Sequence, residues 1–332
     1  AEQLVFSSDT RTRFEELVSE YRRINDATPL LFQLTHSGRF AAKPVTPYPL
    51  PDADARLLVD DDMARIQDDL VRATRLAAQV GADGIDFKHC HGYLCGAMLG
   101  PANVERKDWS WGGESLEARA RFLTETLARM RAEVSDRRVL YTVRLSAYEG
   151  IPGGFGSRDA TSVEADEALT ELRALVRILE QAGVALINQS AGVPEITPLL
   201  VRQTNQNPLA FFEHQHYAEA IKRVASVPVV GSGYSYPSGG KNRLPGDDAG
   251  SRSLVGLGGR AVREGRVDFV GIGRQSLADP EFAAKLLNGR ADEIHWDTAC
   301  SRCAIMLRTG PDVGCVTFDE EAGERFRASR RR

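Results

Sequence analysis

Apolar runs rich in β-branched and aromatic residues alternate along the chain with segments of helical periodicity. The segment 62–80 is predicted to be an amphipathic helix that ends at Gly81. One face of that helix carries apolar side chains at helical spacing: Ile66, Leu70, Ala73 and Ala77. The other predicted helices cover residues 11–24, 115–134, 163–182, 216–224, 254–264 and 280–287. The predicted strands cover residues 30–34, 84–87, 138–143, 184–187, 227–230 and 267–271.

The strict alternation of strands and helices indicates a parallel sheet in an α/β fold. The strands are short and apolar on both faces, as in the interior of a (β/α)₈ TIM barrel. Six strands are visible where a closed barrel has eight, so we expect the first two strands to be missing from this chain. The predicted domains are an N-terminally incomplete barrel over 1–318 and a polar, basic tail over 319–332. A doubly wound open sheet is the alternative, but no Gly-x-Gly-x-x-Gly motif opens a helix near the start.

Composition narrows the class of protein. The 332 residues have an ordinary 42% apolar share and a net charge of −4, with a basic run only at the C-terminus, so nucleic-acid binding has little support. No apolar run is long enough to span a membrane, and the N-terminus lacks the pattern of a signal peptide. The odd count of five cysteines argues against a disulfide scaffold, and we expect a cytoplasmic protein that could form a homo-oligomer.

The segment that follows the predicted strand 84–87 carries the strongest candidate chemistry. Lys88, His91 and Tyr93 fall where a barrel strand meets its loop, the face on which barrel enzymes keep their active sites. A histidine and a lysine there could hold a substrate oxygen, and a tyrosine could deliver a proton. For an isolated His-x-Tyr, the favoured interpretation is a core histidine and tyrosine with the lysine extended outward. The position at a strand end shifts the balance toward catalysis.

Polar residues also follow two other strands. Gln33, with His36 and Arg39 nearby, ends the first strand, and a glutamine amide could pair with the edge of a flat heterocycle. Arg144 ends the strand 138–143, where it needs an anionic or electron-rich partner such as a reduced flavin. A polar loop and a buried ion pair with a carboxylate are the structural alternatives.

Glycines end the last two strands. The motifs Gly231-Ser232-Gly233 and Gly271-Ile272-Gly273-Arg274 are typical of barrel phosphate sites, in which backbone NH groups and a short helix bind the anion. Arg274 would add a bidentate donor. Each motif is weak alone, and two at consecutive strand ends are moderately specific. The segment 231–259, rich in Gly, Ser, Pro and Asp, is predicted to be an insertion that shapes a binding pocket.

Together these motifs resemble those of the old yellow enzyme family of FMN oxidoreductases. The closest likeness runs from Gly81-Ala82-Asp83-Gly84-Ile85-Asp86 through His91-Gly92-Tyr93-Leu94 and on to Ser115-Leu116-Glu117 and Arg119-Ala120-Arg121-Phe122. Other blocks of the family follow in the right order, and the resemblance covers about residues 10 to 318. It implies non-covalent FMN that is reduced by NADH or NADPH and re-oxidised by an activated alkene.

The resemblance also implies roles for single residues. Gln33 and Arg144 would contact the flavin ring, and Gly233, Gly273 and Arg274 would hold its phosphate. His91 would bind the oxygen of a small-molecule substrate, and Tyr93 would be the proton donor. Lys88 departs from the family, which usually has a histidine at this position.

A second departure lies near the C-terminus. Cys300, Cys303 and Cys315 resemble part of the cluster motif of some relatives, but Met306 stands about where a further cysteine would fall. Three thiolates do not make a four-cysteine site, and zinc with His295 as a fourth ligand is less favoured than a clusterless remnant. No metal site is therefore predicted.

The leading hypothesis is an ene-reductase in which reduced FMN gives hydride to an enone and Tyr93 gives the proton. The second is a flavin-dependent dehydrogenase that oxidises or aromatises a small molecule, because a cation at Lys88 would stabilise a phenolate product. The third is a barrel that has lost flavin and acts as a binding protein.

Overall fold

The computed structural model describes residues 5–50, 54–156, 165–246, 248–309 and 312–330. The helices are α1 (Arg11–Ile24), α2 (Asp60–Gln79), α3 (Leu94–Leu99), α4 (Leu116–Glu133), α5 (Ala165–Gln181), α6 (Pro198–Val201), α7 (Ala210–Lys222), α8 (Leu254–Arg263), α9 (Arg274–Ala278), α10 (Phe282–Leu287), α11 (Arg302–Thr309) and α12 (Glu320–Ser329), with 3₁₀ turns at Gly38–Phe40 and Ala291–Glu293. The strands are β1 (Leu31–Leu34), β2 (Val45–Thr46), β3 (Arg56–Leu57), β4 (Gly84–His89), β5 (Leu140–Ser146), β6 (Leu186–Ser190), β7 (Val229–Gly231) and β8 (Phe269–Val270). None of the described helices is long and apolar enough to cross a membrane.

The chain divides into two compact units, of which the larger covers residues 5–201 and 220–229. In the larger unit, β1, β4, β5 and β6 pair side by side in chain order, and every pair is parallel. The register sets Gln33 beside Asp86 and Lys88 beside Arg144. Parallel neighbours need helical crossovers, which α2, α4 and α5 supply between successive strands.

The alternation of side chains along these strands gives the sheet two unlike faces. The apolar face consists of Phe32, Ile85, Phe87, Val143 and Ile187, of which the last four are fully buried. The polar face consists of Gln33, Asp86, Lys88, Thr142 and Arg144.

Helices cover the apolar face. On α1, Phe14 packs edge-on against Phe32, and the Tyr141 hydroxyl donates a hydrogen bond to the Met130 carbonyl of α4. The charged side chains Asp86, Lys88 and Arg144 lie on the other face, which positions the candidate site.

A partly buried ion pair connects the helices α3, α4 and α5. Arg119 on α4 is 2% exposed, and its guanidinium donates to the carbonyl of Leu99 on α3 and to the carboxylate of Glu171 on α5. Removing one partner from a buried pair leaves an uncompensated charge, at a typical cost of about 3–5 kcal/mol. The arginine in the predicted family block at 119–122 therefore has a structural role.

The smaller unit covers residues 202–219 and 230 onward. Residues 230–231 of β7 pair in parallel with β8, with Val230 beside Phe269. An apolar cluster fills its interior, built from Phe211, Tyr234, Tyr236, Leu244, Leu254, Ala261, Val267, Phe282 and Ile294 among others. Tyr234 and Tyr236 anchor the predicted insertion 231–259 in this cluster, and Gly240 is required there because a Cβ would lie 1.8 Å from the carbonyl oxygen of Ala249.

The predicted α/β fold with a parallel sheet is confirmed. In α2, Ile66, Leu70 and Ala77 of the predicted face are buried, and Ala73 is half-buried at its margin. Residues 163 and 164 of the predicted helix 163–182 lie outside the described residues, and α5 begins at Ala165.

Three details of the sequence prediction were wrong. The helix predicted to begin at 216 begins at Ala210, because Phe211 turns inward and is 1% exposed. The strand predicted over 267–271 keeps only Phe269–Val270. The short helices α3, α6, α9, α11 and α12 were not predicted, and α12 lies within the proposed tail 319–332, where Ala322 is fully buried. The division into a barrel of 1–318 and a tail stays a prediction.

Candidate active site

The loop that follows β4 has a backbone conformation that few residues adopt. His91 has φ 67° and Gly92 has φ 68°, so two successive residues are left-handed. For a residue with a side chain, this conformation costs about 1–2 kcal/mol, and it persists only where the surroundings fix it. Two hydrogen bonds do so: the His91 NH donates to Ser146 Oγ at 3.1 Å, and the Gly92 NH donates to Glu149 Oε1 at 2.9 Å.

The turn directs the His91 ring toward the end of β6. Its Nε2 lies 2.7 Å from the hydroxyl oxygen of Ser190, and the ring is half-buried. Either atom can donate, because the tautomer depends on what the other ring nitrogen contacts. The hydroxyl thus fixes the orientation of an imidazole at the carboxyl end of the strands.

Lys88 and Tyr93 come together at the same strand end. The Lys88 Nζ lies 3.1 Å from the centroid of the Tyr93 ring, well inside the range of a cation–π contact. Lys88 is 8% exposed, and burial lowers its pKa from 10.5 to about 8, with the positive charge of Arg144 acting in the same direction. Nearby Cys90, Cys95 and Glu195 act in the opposite direction. An ammonium with a lowered pKa, held against a phenol ring, is unusual in a purely structural core.

A carboxylate organises the middle of the polar face. Asp86 accepts hydrogen bonds from Gln33 Nε2 at 2.6 Å and from Thr142 Oγ1 at 2.9 Å. Gln33 itself is exposed, whereas Asp86 is 9% exposed. Arg144 Nε is buried and has no hydrogen-bond partner within the described ranges. Arg144 therefore keeps a buried donor that an electron-rich ligand could use.

His36 and Arg39, predicted to accompany Gln33, have different surroundings. His36 Nδ1 accepts a hydrogen bond from the Gly38 NH at 3.1 Å, and burial lowers its pKa. The guanidinium of Arg39 lies 5.7 Å from the ring centroid of Phe40, which in turn packs at 5.5 Å from the ring of Tyr93. Arg39 therefore supports the aromatic contact beside Tyr93, whereas His36 fixes the turn at Gly38.

Three residues that shape this site were not predicted from the sequence, namely Ser146, Glu149 and Ser190. Ser146 and Ser190 are the last residues of β5 and β6, so the same strand-end rule that singled out Lys88 and Arg144 could have found them. Glu149 gives no such signal. It is fully buried, and burial raises its pKa from 4.5 to about 7, against the opposing effects of the Gly92 and Phe155 amides and of Arg39.

In the smaller unit, the predicted phosphate residues lie in an open cradle. Gly233 has φ 91°, and a Cβ added at Gly273 would meet nothing within 4 Å. The Gly273 NH donates to Ser235 Oγ at 3.2 Å. Arg274 donates to the Gln203 carbonyl at 3.1 Å and lies 3.8 Å from Asp297, while its buried Nη1 has no hydrogen-bond partner in the part of the chain that the structure describes. Open space at Gly273 and a spare guanidinium donor fit an anionic group such as a phosphate.

The C-terminal cysteines Cys300, Cys303 and Cys315 are free thiols. Among the described residues, no group of three or more His, Cys, Asp or Glu side chains could hold a metal ion. Cys300 is exposed, Cys303 has a pKa raised by burial, and the His295 ring stacks on Phe318 at 4.8 Å. Met306 is fully buried. The absence of a metal site stays a prediction.

Comparisons with known proteins place these observations in a family context. Residues 51–293 match the family model described as NADH:flavin oxidoreductase / NADH oxidase family. An NADH oxidase of Thermoanaerobacter brockii is 30% identical over 301 residues, which is 86% of this chain and 39% of that protein. An N,N-dimethylglycine/sarcosine dehydrogenase of Chromohalobacter salexigens is 25% identical over 91% of this chain and 41% of its own. The chain thus spans about two fifths of the length of these curated relatives.

A solved structure of 2-naphthoyl-CoA reductase, in complex with 2-naphthoyl-CoA, resembles this fold with a TM-score of 0.74 at 21% sequence identity. The match covers 98% of this chain and 47% of that one. At this identity the likeness concerns the fold alone, and it agrees with the (β/α)₈ class predicted from the sequence.

Proposed function

Because the chain belongs to the NADH:flavin oxidoreductase / NADH oxidase family, an FMN-binding family of oxidoreductases, we propose that it reduces the activated C=C bond of a small enone at the expense of NADH or NADPH. The observation that carries this proposal is the pairing of Lys88 with Tyr93 at the carboxyl end of β4. A phenol and a cation at one strand end supply the proton and the charge that such a reduction requires.

The residues present fit FMN, each unit considered by itself. In the larger unit, Gln33 and Arg144 would contact the ring, and the buried, unpartnered Nε of Arg144 supports this role. In the smaller unit, Gly233, Gly273 and Arg274 would hold the phosphate, and the spare Nη1 of Arg274 supports that role. Bound FMN supplies a two-electron carrier that accepts hydride from a nicotinamide and donates it to carbon.

The chain's own residues would do the rest. His91, fixed by Ser190, would donate a hydrogen bond to the carbonyl oxygen of the substrate. Lys88, charged below pH 8, would stabilise the negative charge that develops on that oxygen. A donor of this kind contributes about 3–4 kcal/mol in comparable oxyanion sites. Tyr93 would then deliver a proton to the α-carbon.

The reverse chemistry is the second candidate. The similarity to an N,N-dimethylglycine/sarcosine dehydrogenase favours it, because that relative's name describes the oxidation of a substrate by removal of hydrogen. The lowered pKa of Lys88 is compatible with this direction as well, since a neutral amine above pH 8 could accept a proton from an alcohol or a phenol.

Anaerobic mixing of the FMN-loaded protein distinguishes the two reactions. If the protein is an ene-reductase, NADH or NADPH bleaches the visible flavin absorption and 2-cyclohexenone restores it. If it is a dehydrogenase, a secondary or tertiary amine or a cyclic alcohol bleaches the flavin without any nicotinamide. A protein that binds FMN and responds to neither set of reagents contradicts both proposals. A protein that remains colourless after addition of FMN supports the third hypothesis, a binding protein without flavin.

The substrate class and the cellular compartment are proposed from the charge and the cysteines of the chain. A net charge of −4 without an internal basic run favours a small-molecule substrate over nucleic acid. Cys90 and Cys95 are buried free thiols, which suits the reducing cytoplasm. A homo-oligomeric state stays a prediction.

A further inference from the structure

The loop between β4 and α3 is held largely from outside. Within it the Tyr93 NH donates to the Cys90 carbonyl at 3.4 Å, but the amides of the left-handed residues His91 and Gly92 bond to another segment. The partners come from the segment after Arg144: Ser146 accepts from the His91 NH, and Glu149 accepts from the Gly92 NH.

Glu149 is suited to this role by its surroundings. The Glu149 NH donates to the Phe155 carbonyl at 3.1 Å, and Thr197 Oγ1 donates to the Glu149 carbonyl at 3.1 Å, so the backbone of Glu149 is itself fixed. The side chain is fully buried, and a Cβ at Gly92 would lie 2.9 Å from Val193 Cγ1, which leaves the loop little room to move. A buried carboxyl group therefore lies directly behind the turn that presents His91 and Tyr93.

We propose that Glu149 is a positioning residue that holds His91 and Tyr93 in place for the reaction by fixing the Gly92 amide. The role rests on the proposed function, because it assigns the support of those two side chains and adds no new chemistry. Ser146 supports the neighbouring amide in the same way and provides an independent comparison.

The burial of Glu149 adds a pH dependence. A small, mostly apolar cavity is bordered by Glu149, Arg39 and Tyr48, and Glu149 Oε2 has no hydrogen-bond partner among the residues described. Burial raises the pKa of Glu149 to about 7. Within the described part of the chain, the ionisable side chains with an electrostatic effect between them and Glu149 are Arg39, Tyr48 and Cys90.

None of these neighbours changes charge near neutrality. Arginine keeps its positive charge, burial raises the pKa of Tyr48, and burial raises the pKa of Cys90 to about 11. As the pH rises through about 7, Glu149 gains its negative charge, and its hydrogen bond from the Gly92 NH becomes charge-assisted and stronger. A step in the chemical shift of the Gly92 amide near pH 7 that is lost in Glu149→Gln would therefore be assigned to Glu149 and not to the adjacent His91, whose type ordinarily titrates near pH 6.5.

The sequence offers a clean probe of this amide. His91-Gly92 is the only His-Gly pair in the chain, so protein labelled with ¹³C at histidine carbonyls and ¹⁵N at glycine gives one carbonyl-edited signal, from Gly92. In the FMN-loaded wild type, we expect the Gly92 amide to be protected from exchange and its shift to titrate with a midpoint near pH 7. In Glu149→Leu, exchange should be faster by about tenfold or more. In Glu149→Gln, whose amide oxygen still accepts, exchange should stay within about threefold of the wild type and the step near pH 7 should vanish.

Two further variants serve as controls. Ser146→Ala removes the partner of the His91 amide and should leave the Gly92 amide within about threefold of the wild type. Glu195→Gln removes an exposed carboxylate from the same unit and should change neither the exchange rate nor the titration. In turnover, Glu149→Leu should lower the rate of alkene reduction about tenfold to a hundredfold, because of misplaced side chains. Reduction of the flavin by the nicotinamide should be unaffected.

The outcomes separate the two proposals. If Glu149→Leu is folded and its Gly92 amide is as protected as in the wild type, the positioning role is wrong. If Glu149→Leu does not fold, the loss of the pH step in Glu149→Gln decides, and a step that persists there overturns the assignment. If the amide behaves as expected but no alkene is reduced by the wild type, the proposed function fails while the loop support stands.

Discussion

Two histidines only two residues apart, His89 and His91, have opposite surroundings. His89 is 1% exposed, lies edge-on to Phe87 with ring centroids 4.3 Å apart, and has a pKa lowered by burial to about 3. His91 lies beyond the end of the strand in a left-handed turn, with its ring against Ser190. His89 lies on the apolar face of β4, two residues after Phe87. The ring of His91 contacts Ser190, which lies on the polar face at the end of β6.

The contrast shows that the face of the strand, and not the residue type, decides which side chain is available for chemistry. On the apolar face a histidine is kept neutral and packs like a hydrocarbon ring. On the other face lysine, arginine and aspartate are retained although burial is unfavourable for each. Substitutions on the polar face should therefore change the reaction with little effect on stability, and those on the apolar face should do the reverse.

Tyr93→Phe tests the catalytic half of this contrast and has the largest expected effect. Loss of the proposed proton donor should slow re-oxidation of the flavin by 2-cyclohexenone about 10²- to 10⁴-fold, which is about 3–5 kcal/mol of barrier. Reduction by the nicotinamide should be unchanged. Stopped-flow absorbance measures both half-reactions separately.

The matched control is Tyr21→Phe, which removes a tyrosine hydroxyl from α1 in the same unit. It should leave both half-reactions unchanged. If Tyr93→Phe re-oxidises as fast as the control, Tyr93 is not the proton donor.

Phe87→Ala tests the structural half. Phe87 is fully buried on the apolar face, and removal of such a ring typically costs about 3–5 kcal/mol of unfolding free energy. The rate per folded, FMN-loaded molecule should stay within about threefold of the wild type, since no polar-face contact is lost. Denaturant titration gives the free energy of unfolding. The rate is divided by the FMN content, which is measured from the flavin absorbance.

The same substitution at Phe269, which is 53% exposed on β8, provides the comparison and should cost less than about 1 kcal/mol. Equal losses at Phe87 and Phe269 would mean that the apolar face does not dominate stability.

The sequence predicted the parallel layer well because the apolar face is continuous. Ile85, Phe87 and Val143 lie in runs whose β-branched and aromatic content is readable without any partner, and α2 shows its buried face through spacing alone. Strand ends followed from the same pattern, which is why Lys88 and Arg144 were found as candidates. The prediction was weaker where few residues carry the signal, as in the two-residue strand β8.

Ser146, Glu149 and Ser190 were missed for a different reason. Each bonds to a residue about 55 to 100 positions away in the chain. Two of these bonds fix a left-handed turn, and a histidine at position 91 does not predict that conformation. Long-range hydrogen bonds of this kind follow from the register of β4, β5 and β6, so they become visible only after the strands are aligned.

His89→Leu should have a smaller, pH-dependent effect. At pH 7 the buried imidazole is neutral and its Nε2 lacks a hydrogen-bond partner in the described structure, so leucine should change stability by less than about 1 kcal/mol. Because burial depresses the folded-state pKa to about 3, the unfolded chain binds the proton first as the pH falls below about 6.5. The wild type then loses stability at about 1.4 kcal/mol per pH unit, and the variant does not.

At pH 5 this difference should reach about 2 kcal/mol in favour of the variant, measured by urea titration at the two pH values. Activity at pH 7 should be unchanged. If the unfolding free energies of the wild type and His89→Leu fall by the same amount between pH 7 and pH 5, His89 is not held neutral by its position on the apolar face.

Lys88→His is the mildest of the changes and the most specific to the polar face. The proposed role of Lys88 lies with the substrate oxygen and with Tyr93, so the FMN dissociation constant should stay within about threefold of the wild type. Alkene reduction at pH 6 should fall by about tenfold or less, because an imidazolium retains a donor where complete removal costs about 10²- to 10³-fold.

In the wild type the rate should fall as the pH rises through about 8, where Lys88 loses its charge. In the variant that fall should move to a lower pH, since histidine ordinarily loses its charge near 6.5. Loss of FMN binding in Lys88→His would place this side chain against the cofactor rather than the substrate, and an unmoved pH profile would assign the titration to another group.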